Sequence, residues 1–171
     1  MKEKHTLFPV ILLLWLLASC GPSKEEAISY NDRIINEQTL IAKKINVLYN
    51  SFSAGSPAQM DDAYQQALSQ LDSGTAVVSK MHSFDGTGDF RDAALKLFAL
   101  YHSVITGELK SMTDILKIAS HGLSAEAKEE FNVLYSNASK KMEDGLREFR
   151  GVQHDFAEKH HIVIEKSANT P

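Results

Sequence analysis

The chain has 171 residues and a formal net charge of −4, from 18 basic and 22 acidic side chains. This length fits one domain and is sufficient to bury a hydrophobic core. A mildly acidic chain lacks the basic face that phosphate binding requires, so a nucleic-acid partner is not expected. Since the chain has a single cysteine, it cannot form an internal disulfide, and packing must stabilise the fold.

The N-terminus has the three parts of a secretory signal. Lys2 and Lys4 supply the charged start, residues 7–18 form an apolar run, and Leu17-Ala18-Ser19-Cys20 places small residues before a cysteine. A helix over the apolar run would reach only about 18 Å, which is less than the roughly 30 Å of a hydrocarbon core. The segment is therefore predicted to be cleaved rather than to span a membrane.

The order Leu-Ala-Ser-Cys resembles the lipobox of bacterial lipoproteins, whose type II signal peptide is cut before the cysteine. The resemblance implies that residues 1–19 are removed and that the Cys20 thiol carries a diacylglycerol, with the new amine often acylated too. Two or three acyl chains hold a protein stably on a bilayer. The predicted partner of Cys20 is therefore the lipid bilayer. The alternative is a secreted chain without lipid and with a free thiol.

The residues after Cys20 predict the cellular location. Gly21 stands where enteric lipoproteins of the inner membrane carry aspartate, which favours the outer membrane. Lys24-Glu25-Glu26 resembles the surface-export signal of Bacteroidota lipoproteins. It is equally the acidic first turn that a helix dipole favours. The expectation is an outer-membrane or cell-surface lipoprotein, and the periplasmic face of the membrane stays open as an alternative.

The mature chain begins with two segments that carry apolar residues at helical spacing. The first covers residues 24–52. Its heptad seam consists of Ala27, Asn31, Ile34, Gln38, Ile41, Ile45, Leu48 and Phe52. Residues 53–57 break the pattern, with Ser56 as the expected N-cap and Pro57 as the first residue of the second helix. The second seam covers residues 60–81.

A third helix is predicted after the turn Asp85-Gly86-Thr87-Gly88. Asp89 is expected to cap it, and its apolar stripe extends from residue 90 to residue 119. His121-Gly122-Leu123 is expected to end it.

Ser124 is expected to cap a fourth helix, whose stripe covers residues 127–156. The period-2 pattern typical of a β-strand is found only in Ile162-Val163-Ile164. Because short loops between long helices favour antiparallel neighbours, the predicted fold is an all-α, up-down-up-down four-helix bundle. The predicted divisions are a signal peptide at 1–19, a lipidated tether at 20–23, the bundle at 24–165 and a disordered tail at 166–171. Lys2, Lys4 and Glu3 leave with the signal, so the mature chain keeps 16 basic and 21 acidic residues, a charge of −5.

As a whole, the chain resembles the small helical surface lipoproteins of Gram-negative bacteria. The resemblance rests on the lipobox and the single helical domain, with weaker support from Tyr30-Asn31-Asp32 and Phe156-Ala157-Glu158-Lys159-His160. It implies no activity, and it supplies no functional residues to carry over.

Polar residues and glycines interrupt the apolar helix faces, at Asn31, Gln38, Gly74, Gly107, Glu108 and Gly145. A glycine inside a helix costs about 1 kcal/mol relative to alanine, so these positions require a reason. One interpretation is a widened interior that holds a ligand. The interpretation we favour is close helix approach at the glycines, with the amides fixing the register of the helices.

Histidines and aspartates collect at one predicted pole of the bundle, where helices 2 and 4 end and helix 3 begins. The candidate metal ligands there are His82, Asp85, Asp89, His160 and His161, with His154 nearby. Imidazole and carboxylate groups suit zinc and other transition ions. The competing interpretation is that histidine favours helix C-termini and aspartate favours turns.

Other metal and cofactor sites lack their motifs. Glu-x-x-His occurs once, in Glu158-Lys159-His160-His161, whereas a ferritin-like di-iron centre needs it twice. The sequence has no Cys-x-x-Cys-His for covalent haem. No cofactor is predicted.

The sequence does not predict an enzyme, because it lacks Gly-x-Ser-x-Gly, a Walker loop and His-Glu-x-x-His. The expected function is a non-enzymatic binding module that engages an envelope protein or a host molecule through helix faces. The alternatives are an envelope ligand or metal carrier, using the bundle interior or the histidine pole, and a structural spacer. One contiguous apolar patch would favour the module, and an enclosed cavity lined by Gly74, Gly145 and Gln38 would favour the carrier. Trp15, the only tryptophan, leaves with the signal, which argues against a sugar platform built on indoles, although tyrosines can serve instead.

Overall fold

The computed structural model describes residues 21–119 and 122–164. The predicted signal peptide, Cys20, His121 and the predicted tail lie outside the described residues. Every regular element in the described part is a helix, which confirms the all-α prediction. None of these helices has both the length and the apolar character needed to cross a membrane.

The first two helices begin at capping boxes. Helix α1 covers Lys24–Ala54, and the Ser23 hydroxyl accepts a hydrogen bond from the Glu26 backbone N–H at 3.1 Å. Helix α2 covers Pro57–Ser79, and Ser56 caps it together with Gln59 as the sequence predicts. In both boxes the N3 side chain accepts from the cap's own N–H at 2.7 Å, so two helical N–H groups find partners.

The third helical rod has three parts: α3 over Asp89–Val104, a π-helical turn over Ile105–Leu109 and α4 over Lys110–Ile118. The sequence predicted one regular helix here. The buried residues Tyr101, Ile105 and Leu109 follow one another in two successive steps of four. All three stay on the buried face through the π turn. Ala63, Ala67 and Leu71 are buried at the same spacing in the regular helix α2, so this spacing alone does not require a π turn.

The start of α3 corrects one prediction. Asp89 does not cap the helix but is its first residue, and the cap position belongs to Gly88, which has no side chain to offer. The preceding turn places Asp85 and Gly86 at φ values of 51° and 74°, which fixes where the chain can enter the helix.

Helix α5 covers Ala125–Lys159, and the Ser124 hydroxyl caps it by accepting from the Ala127 N–H at 3.2 Å, as predicted. After α5 the chain folds back. The Ile162 N–H donates to the Ala157 carbonyl at 3.0 Å and the Ile162 side chain is buried. Residues 162–164 form no strand.

The most extensive backbone contacts join α1 to α2 and α3 to α5, while α2 packs against α3 and α4. These contacts enclose one hydrophobic core. Its largest fully buried side chains include Ile34, Ile41, Ile45, Leu48, Leu71, Phe98, Ile105, Leu109 and Met112. These helix contacts are compatible with the predicted bundle.

Two of the interrupting glycines lie where helices approach closely. A Cβ at Gly74 would lie 2.9 Å from the Ile41 Cδ1, and one at Gly145 would collide with the Leu100 Cδ2. The space beside both glycines is therefore filled by neighbouring side chains. Gly107 lies in the π turn and has no neighbouring atom within 4 Å of a Cβ position, so crowding does not explain it.

Candidate functional site

An open groove of about 670 Å³ lies between the C-terminal part of α1 and the N-terminal half of α5. Helix α1 lines it with Asn46, Tyr49, Asn50, Phe52 and Ser53. The polar residues Asn46, Asn50 and Ser53 are exposed and follow one another at steps of four and three. This spacing places them along one edge of the helix. Tyr49 and Phe52 are half-buried and form the floor of the groove.

Helix α5 lines the opposite side with Phe131, Tyr135, Ser139 and Met142. The first three recur at steps of four, so they also share one face. The Tyr135 side chain is 50% exposed, and Phe131 and Met142 are half-buried. None of the described lining residues carries a formal charge. The groove therefore combines aromatic rings with neutral hydrogen-bonding groups.

Four of these rings form a continuous chain that begins on α5, crosses to α1 and returns to α5. The ring centroids lie 6.1 Å apart for Phe131 and Phe52, 5.9 Å for Phe52 and Tyr49, and 5.7 Å for Tyr49 and Tyr135. All three pairs meet edge to face, an arrangement that the aromatic quadrupole favours. Large rings thus bridge α1 and α5, and each ring fixes the orientation of the next.

The Tyr49 hydroxyl is a hydrogen-bond donor at neutral pH. Burial raises its pKa to about 12, and the nearby Tyr135 and Glu108 add to this rise, while a hydrogen bond with Ser139 opposes it. The hydroxyl oxygen also lies 3.9 Å from the Met142 sulfur. Because the phenol stays protonated, it contributes polarity without charge to the floor of the groove.

Farther along the same seam, a buried amide pair joins the two helices. The Gln153 side-chain N–H donates to the Asn31 side-chain oxygen at 2.9 Å, and both residues are 9% exposed. The Asn31 amide in turn donates to the Asp32 carboxylate at 3.0 Å. Such a pair fits only one relative placement of α1 and α5, as the register interpretation requires. Gln38 forms a hydrogen bond with the Tyr101 hydroxyl. Burial raises the pKa of that hydroxyl, although the bond to Gln38 opposes the rise.

The predicted metal ligands lie at the pole where α2 and α5 end and α3 begins. The side chains of His82, Asp89 and His161 are exposed, and the Asp85 carboxylate pairs with the Lys159 ammonium at 3.0 Å. No three of the five candidates, all of which are described, bring ligand atoms within 4.8 Å of one another. The structure therefore places them at one end of the molecule but does not converge them on one point.

The fifth candidate, His160, packs among aromatic rings. Its centroid lies 5.0 Å from that of Phe84 and 4.6 Å from that of Phe156. Burial lowers its pKa, and the adjacent Lys159 ammonium lowers it further. These contacts fit a neutral imidazole that covers the end of the core.

One set of side chains does bring three ligand atoms within 4.8 Å of one another, namely His154, Asp155 and Glu158 on α5. All three are exposed, and the His154 and Glu158 side chains are 3.8 Å apart. Their spacing of one and four along a helix could have been read from the sequence. Exposed polar groups one turn apart are also ordinary on a helix surface, and no second helix contributes a ligand here.

Sequence reasoning assigned no role to Tyr135, so it missed the groove. The available signal was the spacing of four between Phe131 and Tyr135, opposite an α1 that ends in Tyr49 and Phe52.

No protein-family model matches the chain, and neither a curated protein nor a solved structure is similar to it. Any function must therefore be inferred from the side chains described above.

Proposed function

We propose that the protein is a lipid-anchored, non-enzymatic binding module of the outer membrane or cell surface, which engages its partner through the groove between α1 and α5. The observation that carries this proposal is the groove itself, an open surface lined by half-exposed aromatic rings and neutral polar groups. Sites that bind small molecules and polymer segments typically combine apolar walls with a few polar groups that fix orientation.

The described contacts support the antiparallel, up-down-up-down arrangement that the proposal includes. Tyr30 reaches the His82 carbonyl at 3.0 Å, whereas Lys44, farther along α1, reaches Gln66, which is earlier in the chain. The residue numbers of the partners thus change in opposite directions along α1 and α2. Helices α1 and α5 also run in opposite directions, because Asn31 pairs with Gln153 whereas Tyr49, later in α1, pairs with Tyr135, earlier in α5.

This arrangement would hold the groove away from the membrane. Helix α1 starts four residues after Cys20, and Tyr49 lies near its far end. At about 1.5 Å per residue, the groove is roughly 40 Å along the helix from the lipid anchor. A partner in the periplasm or outside the cell could therefore reach it without contacting the bilayer.

The packing beside Gly74 and Gly145 supports a surface module over an interior carrier. A cleft of about 330 Å³ does lie beside Gly145, but neither Gly74 nor Gln38 lines it. Ile41 and Leu100 occupy the space beside Gly74 and Gly145, two of the residues that a ligand cavity would have used. The groove, by contrast, is open to solvent and needs no rearrangement to admit a partner.

Membrane attachment is tested by metabolic labelling with an alkyne-tagged fatty acid. Wild-type protein should carry the label and sediment with membranes. Cys20→Ser should lose the label and pass to the soluble fraction. A labelled Cys20→Ser variant would contradict the lipoprotein proposal.

Binding is tested by surface plasmon resonance on the full-length protein, with the protein, polysaccharide and lipid fractions of the bacterial envelope and culture medium as separate analytes. We expect at least one fraction to bind the wild type and to bind Tyr135→Ala at least tenfold more weakly. Gln65→Ala, at an exposed position on α2, should bind as the wild type does. Equal binding by Tyr135→Ala, or no binding by any fraction, would overturn the proposal.

A further inference from the structure

The lining of the groove restricts the charge of its ligand. The polar groups in the lining are the amides of Asn46 and Asn50 and the hydroxyls of Ser53, Ser139 and the tyrosines. Ionic ligands are bound strongly through charge-assisted hydrogen bonds, and this lining supplies no charged partner for them. The mature chain is also acidic, with a charge of −5, so an anionic ligand would be repelled. The groove therefore suits a neutral molecule.

The layout of the lining restricts the shape of that ligand. One edge is a row of exposed amides and a hydroxyl on α1, and the other is a row that includes the half-exposed ring of Tyr135 on α5. A ligand that fits must present hydrogen-bonding groups along one edge and an apolar face to an aromatic ring. A sugar ring has both, because its hydroxyls point outward and its C–H groups form a flat face. The volume of about 670 Å³ falls within the usual range for ligand sites, about 300–1,000 Å³.

We propose that the groove binds a neutral oligosaccharide, with Tyr135 stacking on a sugar face and Asn46 and Asn50 hydrogen-bonding its hydroxyls. This inference rests on the proposed function and names the ligand class of the same site. The groove fits a protein segment less well than an oligosaccharide, because helix and peptide recognition rely on deep apolar pockets for anchoring side chains. Here four of the nine lining residues are asparagine or serine, and the groove is open to solvent.

The test is isothermal titration calorimetry of the full-length protein in a detergent without a sugar head group. The probes are uncharged hexasaccharides of glucose, xylose, mannose and N-acetylglucosamine, with hexagalacturonate as the charged counterpart. We expect at least one uncharged hexasaccharide to bind and hexagalacturonate to bind at least tenfold more weakly. Tyr135→Ala and Asn50→Ala should each weaken binding at least tenfold, whereas Tyr135→Phe should keep most of it because the ring face remains.

Tyr64→Ala is the matched control, since Tyr64 is a tyrosine on α2 outside the groove. Circular dichroism of each variant checks that it is folded. The inference is overturned if no uncharged hexasaccharide binds, if hexagalacturonate binds as tightly, or if Tyr135→Ala binds sugar as the wild type does. Should the protein fraction alone bind through Tyr135 in the resonance experiment, the oligosaccharide inference fails while the proposed binding module stands.

Discussion

The side-chain nitrogen of Gln153 lies 2.9 Å from the side-chain oxygen of Asn31, and this buried hydrogen bond ties α5 to α1. The backbones of these two helices do not share one of the extensive contacts of the molecule. Side chains join them instead: the amide pair, the rings of the groove and the stacking of Tyr30 on Phe156, whose centroids lie 5.8 Å apart.

Breaking the amide pair from one side should be more costly than removing it altogether. Gln153→Leu leaves the Asn31 oxygen buried without this donor, and we expect a loss of about 1–3 kcal/mol in the free energy of unfolding. The double variant Asn31→Leu with Gln153→Leu should recover most of that loss, because two apolar partners leave no polar group unsatisfied. Urea denaturation followed by circular dichroism measures the free energy of unfolding of the wild type, of the single variants Gln153→Leu and Asn31→Leu, and of the double variant.

Gln65→Leu makes the same substitution at an exposed position on α2 and should change stability little. Additive losses in the double variant would show that the two amides do not act as a pair.

Two glycines in long helices should respond to alanine in opposite ways. At Gly74 a methyl group would lie 2.9 Å from the Cδ1 of the fully buried Ile41. The overpacking cost should exceed the gain in helix propensity, so we expect Gly74→Ala to lower the free energy of unfolding by about 1–2 kcal/mol. At Gly151 the Cβ position has no atom within 4 Å. Gly151→Ala should therefore raise the stability by roughly 0.5–1 kcal/mol. Thermal melts of both variants decide, and a stabilised Gly74→Ala would refute the close approach of α1 and α2.

Local signals made the helices and their caps predictable. Ser56 and Ser124 precede apolar periodicity and accept from the backbone N–H three residues on, so their role depends only on neighbouring sequence. The π turn was missed because its apolar spacing does not differ from that of a regular helix. The steps of four from Tyr101 through Ile105 to Leu109 recur at Ala63, Ala67 and Leu71 in α2. Asp89 was misplaced by one residue because an acidic residue also favours the first turn of a helix.

The groove was not predictable from the apolar pattern alone. The stripe of the fourth segment includes Phe131 and Leu134, which predicts a covered face, yet both are only half-buried. Periodicity identifies the apolar side of a helix but does not tell how closely the neighbouring helix approaches. Here α1 and α5 meet through ring contacts, Tyr49 with Tyr135 and Phe52 with Phe131.

Alkaline pH should destabilise the fold by removing the proton of the Tyr49 hydroxyl. Burial raises the pKa of its hydroxyl to about 12, compared with about 10 in an unfolded chain. The unfolded state therefore loses the proton first as pH rises, and the stabilising contribution, complete below pH 10, is lost between about pH 10 and pH 12. Melting temperatures from pH 8 to pH 11.5 should fall less steeply for Tyr49→Phe than for the wild type. Parallel curves would contradict the buried, protonated phenol.

Zinc should bind weakly at the histidine pole. A tight site needs at least three ligand atoms at about 2.0–2.2 Å from the ion. The candidate carboxylate of Asp85 is paired with Lys159, and the imidazole of His160 packs against Phe84 and Phe156. We therefore expect zinc to be lost on dialysis and to shift the melting temperature little, equally in the wild type and His82→Ala. His154→Ala is the matched control, because it removes a histidine from the exposed set on α5 instead. A submicromolar affinity for zinc that His82→Ala abolishes would refute this expectation and favour a metal carrier over the binding module. Such tight binding to the folded state would also raise the melting temperature.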